Sequence, residues 1–93
     1  MSRLRFEWNP EKAAANLRKH GVSMAEARAV FLDPLAATRQ DPDHSVGEQR
    51  YITVGYSDGG RLLTVVSAEV GNALRIISAR PATPAERRHY EEN

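Results

Sequence analysis

The end of the chain concentrates residue types that could bind and cleave a phosphodiester. The segment RIISARPATPAERRHYEE, residues 75–92, contains four arginines, a histidine and a tyrosine. A guanidinium group can donate two parallel hydrogen bonds to phosphate oxygens, and a histidine can carry a proton near neutral pH. This composition indicates chemistry on an anionic ligand, for which a phosphodiester is the obvious candidate.

The charge of the whole chain restricts how these arginines could be used. The 93 residues include 13 basic and 12 acidic side chains, which gives a net charge of +1. A protein that coats nucleic acid is far more basic, so contact with RNA would require a local cluster of positive charge. The length predicts one domain spanning residues 1–93.

The composition also indicates a compartment. The chain has no cysteine, so disulfides and thiolate metal sites are excluded. It has no apolar window long enough to span a bilayer, and its first residues lack the apolar run of a secretory signal. We therefore expect a cytoplasmic protein.

Caps and turns predict the elements that position the arginines. A short strand, RFEW, precedes a helix, NPEKAAANLRKHG, which Asn9 caps and Gly21 closes. A second helix begins after Ser23, with Glu26 at capping-box spacing, and ends at Asp33-Pro34. Two helices therefore come before the main sheet.

Four strands and a third helix complete the chain. The strand candidates are LAATRQD, QRYITVGYS, RLLTVVSAE and ALRIISAR, with the hairpin signals DGG and GN between the last three. Thr83, Pro84 and Glu86 start the third helix. We predict an α+β fold in the order β-α-α-β-β-β-β-α, with helices packed on one face of an antiparallel sheet.

The strand register decides where the arginines point. Two-residue turns at Asp58-Gly59 and Gly71-Asn72 would set Tyr56 opposite Arg61 and Leu63 opposite Arg80. Because side chains alternate with period two, one face would carry Arg50, Tyr56, Arg61, Ser78 and Arg80, with Arg75 on the other. One extra residue in either turn would reverse this for one strand.

Long segments of the sequence resemble a known family. FEWNPEKAAANLRKHGVSMAEARAVFLDP, RYITVGYSDGGRLLTVV and RIISARPATPAERRHYEE are similar to BrnT-type toxins of bacterial type II toxin–antitoxin systems. The resemblance runs from about Phe6 to Glu92, and the KHGVS joint together with the RIISAR and ERRHY segments makes it specific. It implies a RelE-like fold, an endoribonuclease that halts translation, and a BrnA-type antitoxin whose ribbon-helix-helix domain binds operator DNA.

The resemblance also implies roles for particular residues. Arg61 and Arg80 fall where RelE-like enzymes keep phosphate-binding residues, and Tyr90 falls in a terminal helix that supplies a further active-site group. Lys19 and His20 match a shared motif. The expected catalytic residues are therefore Arg61, Arg80, Tyr90, Lys19 and His20, and the expected RNA-binding residues are Arg50, Tyr56, Ser78 and Arg87.

The identity of the general acid and base stays open at this point. Arginine is a poor proton carrier because it remains charged at any working pH. The side chains that could titrate or act as bases are His20, His44, His89, Glu7 and Glu86. His20 has an equally good structural explanation, since a cation suits the last turn of a helix.

No cofactor or metal is expected, and one alternative function remains. The sequence has neither a metal-ligand cluster at workable spacing nor a glycine-rich phosphate loop before a helix. The arginines could also be solvated or paired with nearby glutamates. In that case the chain could be a non-catalytic module whose basic sheet face docks an acidic partner segment.

Overall fold

The helix caps predicted from sequence occur in the structure, a computed structural model that describes residues 5–42 and 49–92. Asn9, Ser23 and Thr83 cap the three helices as predicted. The elements are β1 Arg5–Glu7, α1 Pro10–His20, α2 Met24–Ala29, β2 Ala37–Gln40, β3 Arg50–Tyr56, β4 Leu62–Val70, β5 Ala73–Pro81 and α3 Pro84–Glu91. A 3₁₀ turn, Val30–Leu32, extends α2. The α+β fold and its element order are confirmed.

The five strands form one mixed sheet in the order β1-β5-β4-β3-β2. Strands β2 to β5 pair antiparallel, as predicted, whereas β1 runs parallel to β5. The expectation of a purely antiparallel sheet is therefore corrected at this edge. No hairpin joins β1 to its neighbour, and strands far apart in sequence can pair in either direction.

The core lies between one face of the sheet and the paired helices α1 and α2. Its buried side chains come from the α1–α2 region and from β4 and β5: Val22, Met24, Ala27, Val30, Leu63, Val65, Ile76 and Ala79. Thr64, which alternates with Leu63 and Val65, bonds to Glu86 of α3. The helix α3 therefore lies against the opposite face, and we call the two sides the helix-pair face and the α3 face.

Two local irregularities set the register of the central strands. Ser57 donates its backbone N–H to the Arg61 carbonyl at 2.9 Å, so the turn holds three residues, and Tyr56 pairs with Leu62. Gly60 has φ of 79°, a value that favours glycine in such a turn. The two-residue turn at Gly71-Asn72 is confirmed, but a bulge between Val66 and Ser67 shifts the far end of the β4–β5 pair by one residue.

These irregularities correct the predicted placement of the arginines. Arg50, Tyr56, Ser78 and Arg80 share the α3 face as expected, because all pair with even-numbered residues of β4. Arg61 does not join them, since it lies in the enlarged turn. Arg75 was expected on the opposite face because it lies five residues before Arg80. The bulge between them adds one residue to β5, so Arg75 lies on the same face as Arg80.

Helix length gives one further observation. In the described ranges, 5–42 and 49–92, no helix is long and apolar enough to cross a membrane.

Candidate active site

The joint between α1 and α2 follows two of the predicted catalytic residues, Lys19 and His20, and a third, Arg61, bonds to it. Gly21 ends α1 in the left-handed conformation, with φ of 70°, and its N–H donates to the Leu17 carbonyl. The Gly21 carbonyl in turn accepts a hydrogen bond of 2.9 Å from Nη2 of Arg61. Lys19 and His20 directly precede this glycine, so Arg61 binds the backbone one residue after His20 at the end of α1.

Glu26 of α2 holds the Arg61 guanidinium at this joint. Arg61 Nε donates to Glu26 Oε2 at 2.9 Å, and Nη2 donates to Oε1. Ser57 Oγ also donates to Oε2, at 2.8 Å. The carboxylate therefore connects α2 to both ends of the β3–β4 turn, because Ser57 and Arg61 flank that turn.

The charge of Glu26 follows from these contacts. Hydrogen bonds from Arg61 lower the pKa of the Glu26 carboxyl, and the Ser57 hydroxyl lowers it further, although partial burial opposes both effects. Glu26 is therefore ionised at neutral pH and is a weak proton acceptor.

Arg80 occupies a separate position on the α3 face. Its Nη1 and Nη2 donate to Oε1 and Oε2 of Glu86 at 2.8 and 2.9 Å, a bidentate pair. Thr64 Oγ1 and the Thr83 N–H donate to the same carboxylate at 2.9 and 2.8 Å. Arg80, the Thr83 N–H and Thr64 lower the pKa of Glu86 to about 2, which rules it out as a base at neutral pH.

Tyr90 is attached to the end of the sheet through Asp33. Its hydroxyl donates to Asp33 Oδ2 at 2.6 Å, and the same oxygen accepts the Tyr56 backbone N–H at 2.8 Å. The hydrogen bond to Asp33 raises the pKa of Tyr90 to about 12. Tyr90 therefore stays protonated at neutral pH, and its hydroxyl proton is directed at Asp33.

The predicted RNA-binding residues Tyr56 and Arg87 lie in contact. Arg87 Nη1 donates to the Tyr56 hydroxyl at 3.3 Å. The Tyr56 and Tyr90 rings meet edge to face, with centroids 5.5 Å apart. An exposed cation and an aromatic ring thus lie at the same end of the sheet as Arg61, on its other face.

A cavity of about 500 Å³ separates α3 from strands β2 and β3. Its lining includes Ile52, Val54, Ala85, His89 and Tyr90. Every residue of α3 is partly or fully exposed. The helix is therefore attached mainly through the polar contacts of Glu86, Arg87 and Tyr90.

The other possible proton carriers lie away from the α1–α2 joint. Glu7 forms an ion pair with Arg75 across β1 and β5, with Nη2 and Oε2 3.0 Å apart. His89 lines the cavity beneath α3. His44 lies outside the described residues. Within the part of the chain that the structure describes, no three His, Asp or Glu side chains could hold a metal ion together.

Sequence reasoning missed four residues that organise these sites: Glu26, Ser57, Asp33 and Thr64. The sequence pattern explains Glu26 only as part of a helix cap. Its N–H does bond to Ser23 Oγ at 3.0 Å, but its side chain reaches Arg61 instead of closing a capping box. Asp33 was interpreted as part of a helix stop. In each case the partner is more than 20 residues away in sequence, so local patterns gave no signal for it.

Comparison with solved structures identifies the fold. The fold matches the crystal structure of the ribonuclease toxin BrnT from Brucella abortus with a TM-score of 0.65. The two sequences are 24% identical, and the match covers 87% of this chain and 99% of that one. At this identity the likeness establishes the fold, an α+β domain shared with a ribonuclease toxin.

The sequence comparison identifies the family. The family described as "Ribonuclease toxin, BrnT, of type II toxin-antitoxin system" matches residues 8–86, most of the chain. The chain therefore belongs to this family of ribonuclease toxins, whose members are paired with a cognate antitoxin. No curated protein sequence matches the chain.

Proposed function

We propose that this chain is an endoribonuclease toxin that cleaves RNA without a metal ion, at the α1–α2 joint. The 2′-hydroxyl oxygen attacks the adjacent phosphorus and loses its proton to a base. The bond from phosphorus to the 5′-oxygen breaks, and that oxygen takes up a proton. The products are a 2′,3′-cyclic phosphate and a 5′-hydroxyl, so the protein must supply positive charge, alignment and proton transfer.

The observation that carries this proposal is the hydrogen bond from Arg61 to the carbonyl of Gly21, the residue that follows Lys19 and His20. Arg61 presents a cation to the non-bridging phosphate oxygens, and 43% of its side-chain surface is exposed. We assign His20 as the base that accepts the 2′-hydroxyl proton, and Lys19 as a second cation for the phosphate. Both residues come from one helix turn, which keeps their spacing constant.

Residues of the α3 face then bind the RNA outside the cleaved bond. Tyr56 lies at the end of β3 and the Arg61 turn follows it on the other face, so an extended strand passing the end of the sheet can contact both faces. Tyr56 offers a ring for base stacking, and Arg87 a cation for a phosphate. Arg50 and Ser78 lie further along the same face. Arg80 and Tyr90 act here by holding α3 in place.

Product analysis tests the reaction. The purified chain is incubated with a short RNA in EDTA, and the fragments are examined by mass spectrometry. We expect 2′,3′-cyclic phosphate ends, and no cleavage where a single 2′-deoxynucleotide replaces the susceptible position. A non-catalytic module that only docks an acidic partner would give no fragments at any concentration, and that result would refute the proposal.

The cellular role follows from the reaction. We propose that cleavage takes place in the cytoplasm, where messenger RNA is translated, and that it inhibits translation and arrests growth. In a reconstituted translation reaction, the wild-type chain should stop amino-acid incorporation while His20→Ala and Arg61→Ala should not. If the wild-type chain cleaves RNA but amino-acid incorporation continues, the proposal that cleavage inhibits translation is wrong.

We also propose a BrnA-type antitoxin with a ribbon-helix-helix domain as the partner. With a net charge of +1, the chain by itself is a poor ligand for DNA. Operator binding is therefore assigned to the antitoxin within the complex. In a gel-shift assay the operator should be retarded by the complex and by the antitoxin, but not by the toxin alone.

A further inference from the structure

Glu26 makes more contacts than a helix cap or a surface ion pair requires. Its two carboxylate oxygens accept hydrogen bonds from Arg61 Nε, Arg61 Nη2 and Ser57 Oγ. Only 18% of its side-chain surface is exposed. The backbone N–H of Glu26 is satisfied separately by Ser23 Oγ. The side chain of Glu26 therefore bonds to the two residues that flank the β3–β4 turn, Ser57 and Arg61.

The arginine–glutamate pair between β1 and β5 shows how a surface ion pair differs from the contact of Glu26 with Arg61. In the Glu7–Arg75 pair, one oxygen, Oε2, lies 3.0 Å from both Arg75 Nε and Nη2, and both side chains are more than two-fifths exposed. Glu26 instead accepts hydrogen bonds from two nitrogens of Arg61, one on each carboxylate oxygen. The Gly21 carbonyl accepts a further bond from Nη2. The Arg61 guanidinium is therefore held at several points, unlike that of Arg75.

The geometry of this contact determines what Arg61 can still bind. A guanidinium that meets a carboxylate through Nε and Nη2 has Nη1 on its far side, because the group is planar. Nη1 takes no part in the contacts with Glu26 and Gly21. Its two N–H groups are therefore directed away from Glu26 and remain suited to a phosphate oxygen.

We propose that Glu26 is a positioning residue that orients Arg61 so that Nη1 meets the scissile phosphate. This inference rests on the proposed ribonuclease function and adds a residue to it. Glu26 is not the base, since both of its carboxylate oxygens already accept hydrogen bonds from Arg61 or Ser57. It acts through Arg61.

A carboxylate beside a phosphate-binding arginine has two opposite effects. Its negative charge weakens attraction for the phosphate in the bound RNA. Its hydrogen bonds hold the guanidinium in place, so that little reorganisation is needed as charge develops on the phosphate oxygens. Removal of the charge should therefore lower kcat without weakening RNA binding. A residue needed only for folding would not separate these quantities.

The test compares Glu26→Gln with wild type, using an RNA substrate for kcat and its 2′-deoxy analogue for binding. Glutamine keeps the size of the side chain but presents an amide where Arg61 needs a second acceptor. We expect kcat to fall by roughly 100-fold, as for a misplaced catalytic group, while Kd for the analogue is unchanged or lower. Ser57→Ala removes one bond to Glu26 without changing charge and should give a smaller loss of kcat.

Two controls make the result specific. Glu7→Gln changes the comparison pair and should leave kcat, Kd and the thermal midpoint close to wild type. In an Arg61→Ala background, Glu26→Gln should cause no further loss of kcat. An equal loss of kcat in that background would overturn the positioning role. So would a Glu26→Gln variant in which kcat, the thermal midpoint and analogue binding all decrease together.

The proposed function and this inference can fail separately. If wild-type protein yields no RNA fragments, the ribonuclease proposal fails. If wild type cleaves RNA and Glu26→Gln cleaves it equally fast, only the role of Glu26 is refuted.

Discussion

Arg61 and Arg80 are held on opposite faces of the sheet by two different glutamates. Arg61 binds Glu26 on the helix-pair face, and Arg80 binds Glu86 on the α3 face. The two guanidinium groups therefore do not form the shared phosphate site that alternation in the sequence predicted. This separation assigns them different roles, which single substitutions can distinguish.

Replacement of Arg61 should remove activity and leave the fold intact. The Arg61 side chain is 43% exposed, and Glu26 keeps its hydrogen bond from Ser57 when Arg61 is removed, so we expect this pair to contribute little to stability. We expect Arg61→Ala to lower the RNA cleavage rate by roughly 100-fold or more, with a thermal midpoint near that of wild type. Cleavage assays and thermal unfolding of the same preparation measure both quantities.

Arg80→Ala should behave differently, because the Arg80–Glu86 pair is one of the few contacts that attach α3, a helix without a buried residue, to the sheet. We expect a lower thermal midpoint and a loss of activity that follows the loss of folded protein. If Arg80→Ala instead remains folded and inactive while Arg61→Ala stays active, the active site lies on the α3 face.

Glu86 should make the protein sensitive to acid. Its pKa is about 2 in the folded chain, against an ordinary value of 4.5, and Arg80 is the main cause. The folded-state pKa is lowered, so the stabilisation is complete above pH 4.5 and is lost as the pH falls toward 2. Glu86→Gln should cost about 1–3 kcal/mol at pH 7.

Urea unfolding at several pH values measures this effect. The difference between wild type and Glu86→Gln should shrink as the pH falls from 4.5 toward 2. Glu7→Gln, in which the altered carboxyl is exposed, should follow the wild-type pH dependence. A constant difference between wild type and Glu86→Gln across this range would contradict the assignment.

Tyr90 should stabilise the attachment of α3 up to alkaline pH. Its pKa is raised to about 12 by Asp33, against an ordinary value of 10. The stabilisation is therefore complete below pH 10 and is lost as the pH rises through 12. We expect Tyr90→Phe to lower the thermal midpoint by a few degrees and to speed amide hydrogen exchange in α3.

Exchange in α1 supplies the internal control for Tyr90→Phe, because that helix packs on the other face. Unchanged exchange in α3 would show that the bond to Asp33 does not hold this helix. A spectroscopic titration of tyrosine ionisation should lose its component near pH 12 in the same variant.

Asn16 should be among the most sensitive positions of the fold. Its buried Nδ2 donates to the carbonyls of Val22 and Ala79 at 2.9 and 2.8 Å, and its Oδ1 accepts the Ala79 N–H at 3.1 Å. These bonds connect α1 to β5. Asn16→Ala leaves buried backbone groups without partners and should cost about 3 kcal/mol or more in urea unfolding. The neighbouring Leu17, which is 52% exposed, gives the control: Leu17→Ala should change stability by about 0.5 kcal/mol at most.

The sequence alone determined the order and type of the elements. Asn9, Ser23 and Thr83 cap their helices through bonds to residues two or three positions away. The left-handed Gly21 and the two-residue turn at Gly71-Asn72 are also local features. Interactions over so few residues depend on local side-chain chemistry, which the sequence contains. The family predicted from the sequence was confirmed by the family match over residues 8–86.

Tertiary structure decided which side chains meet. A three-residue turn before Arg61 and a bulge between Val66 and Ser67 each changed a register by one residue, and one residue reverses the face of a side chain. The contacts of Arg61 with Glu26 and of Tyr90 with Asp33 span 35 and 57 residues. Such pairs arise only when helices and strands pack together, because their geometry depends on the whole core rather than on any local pattern.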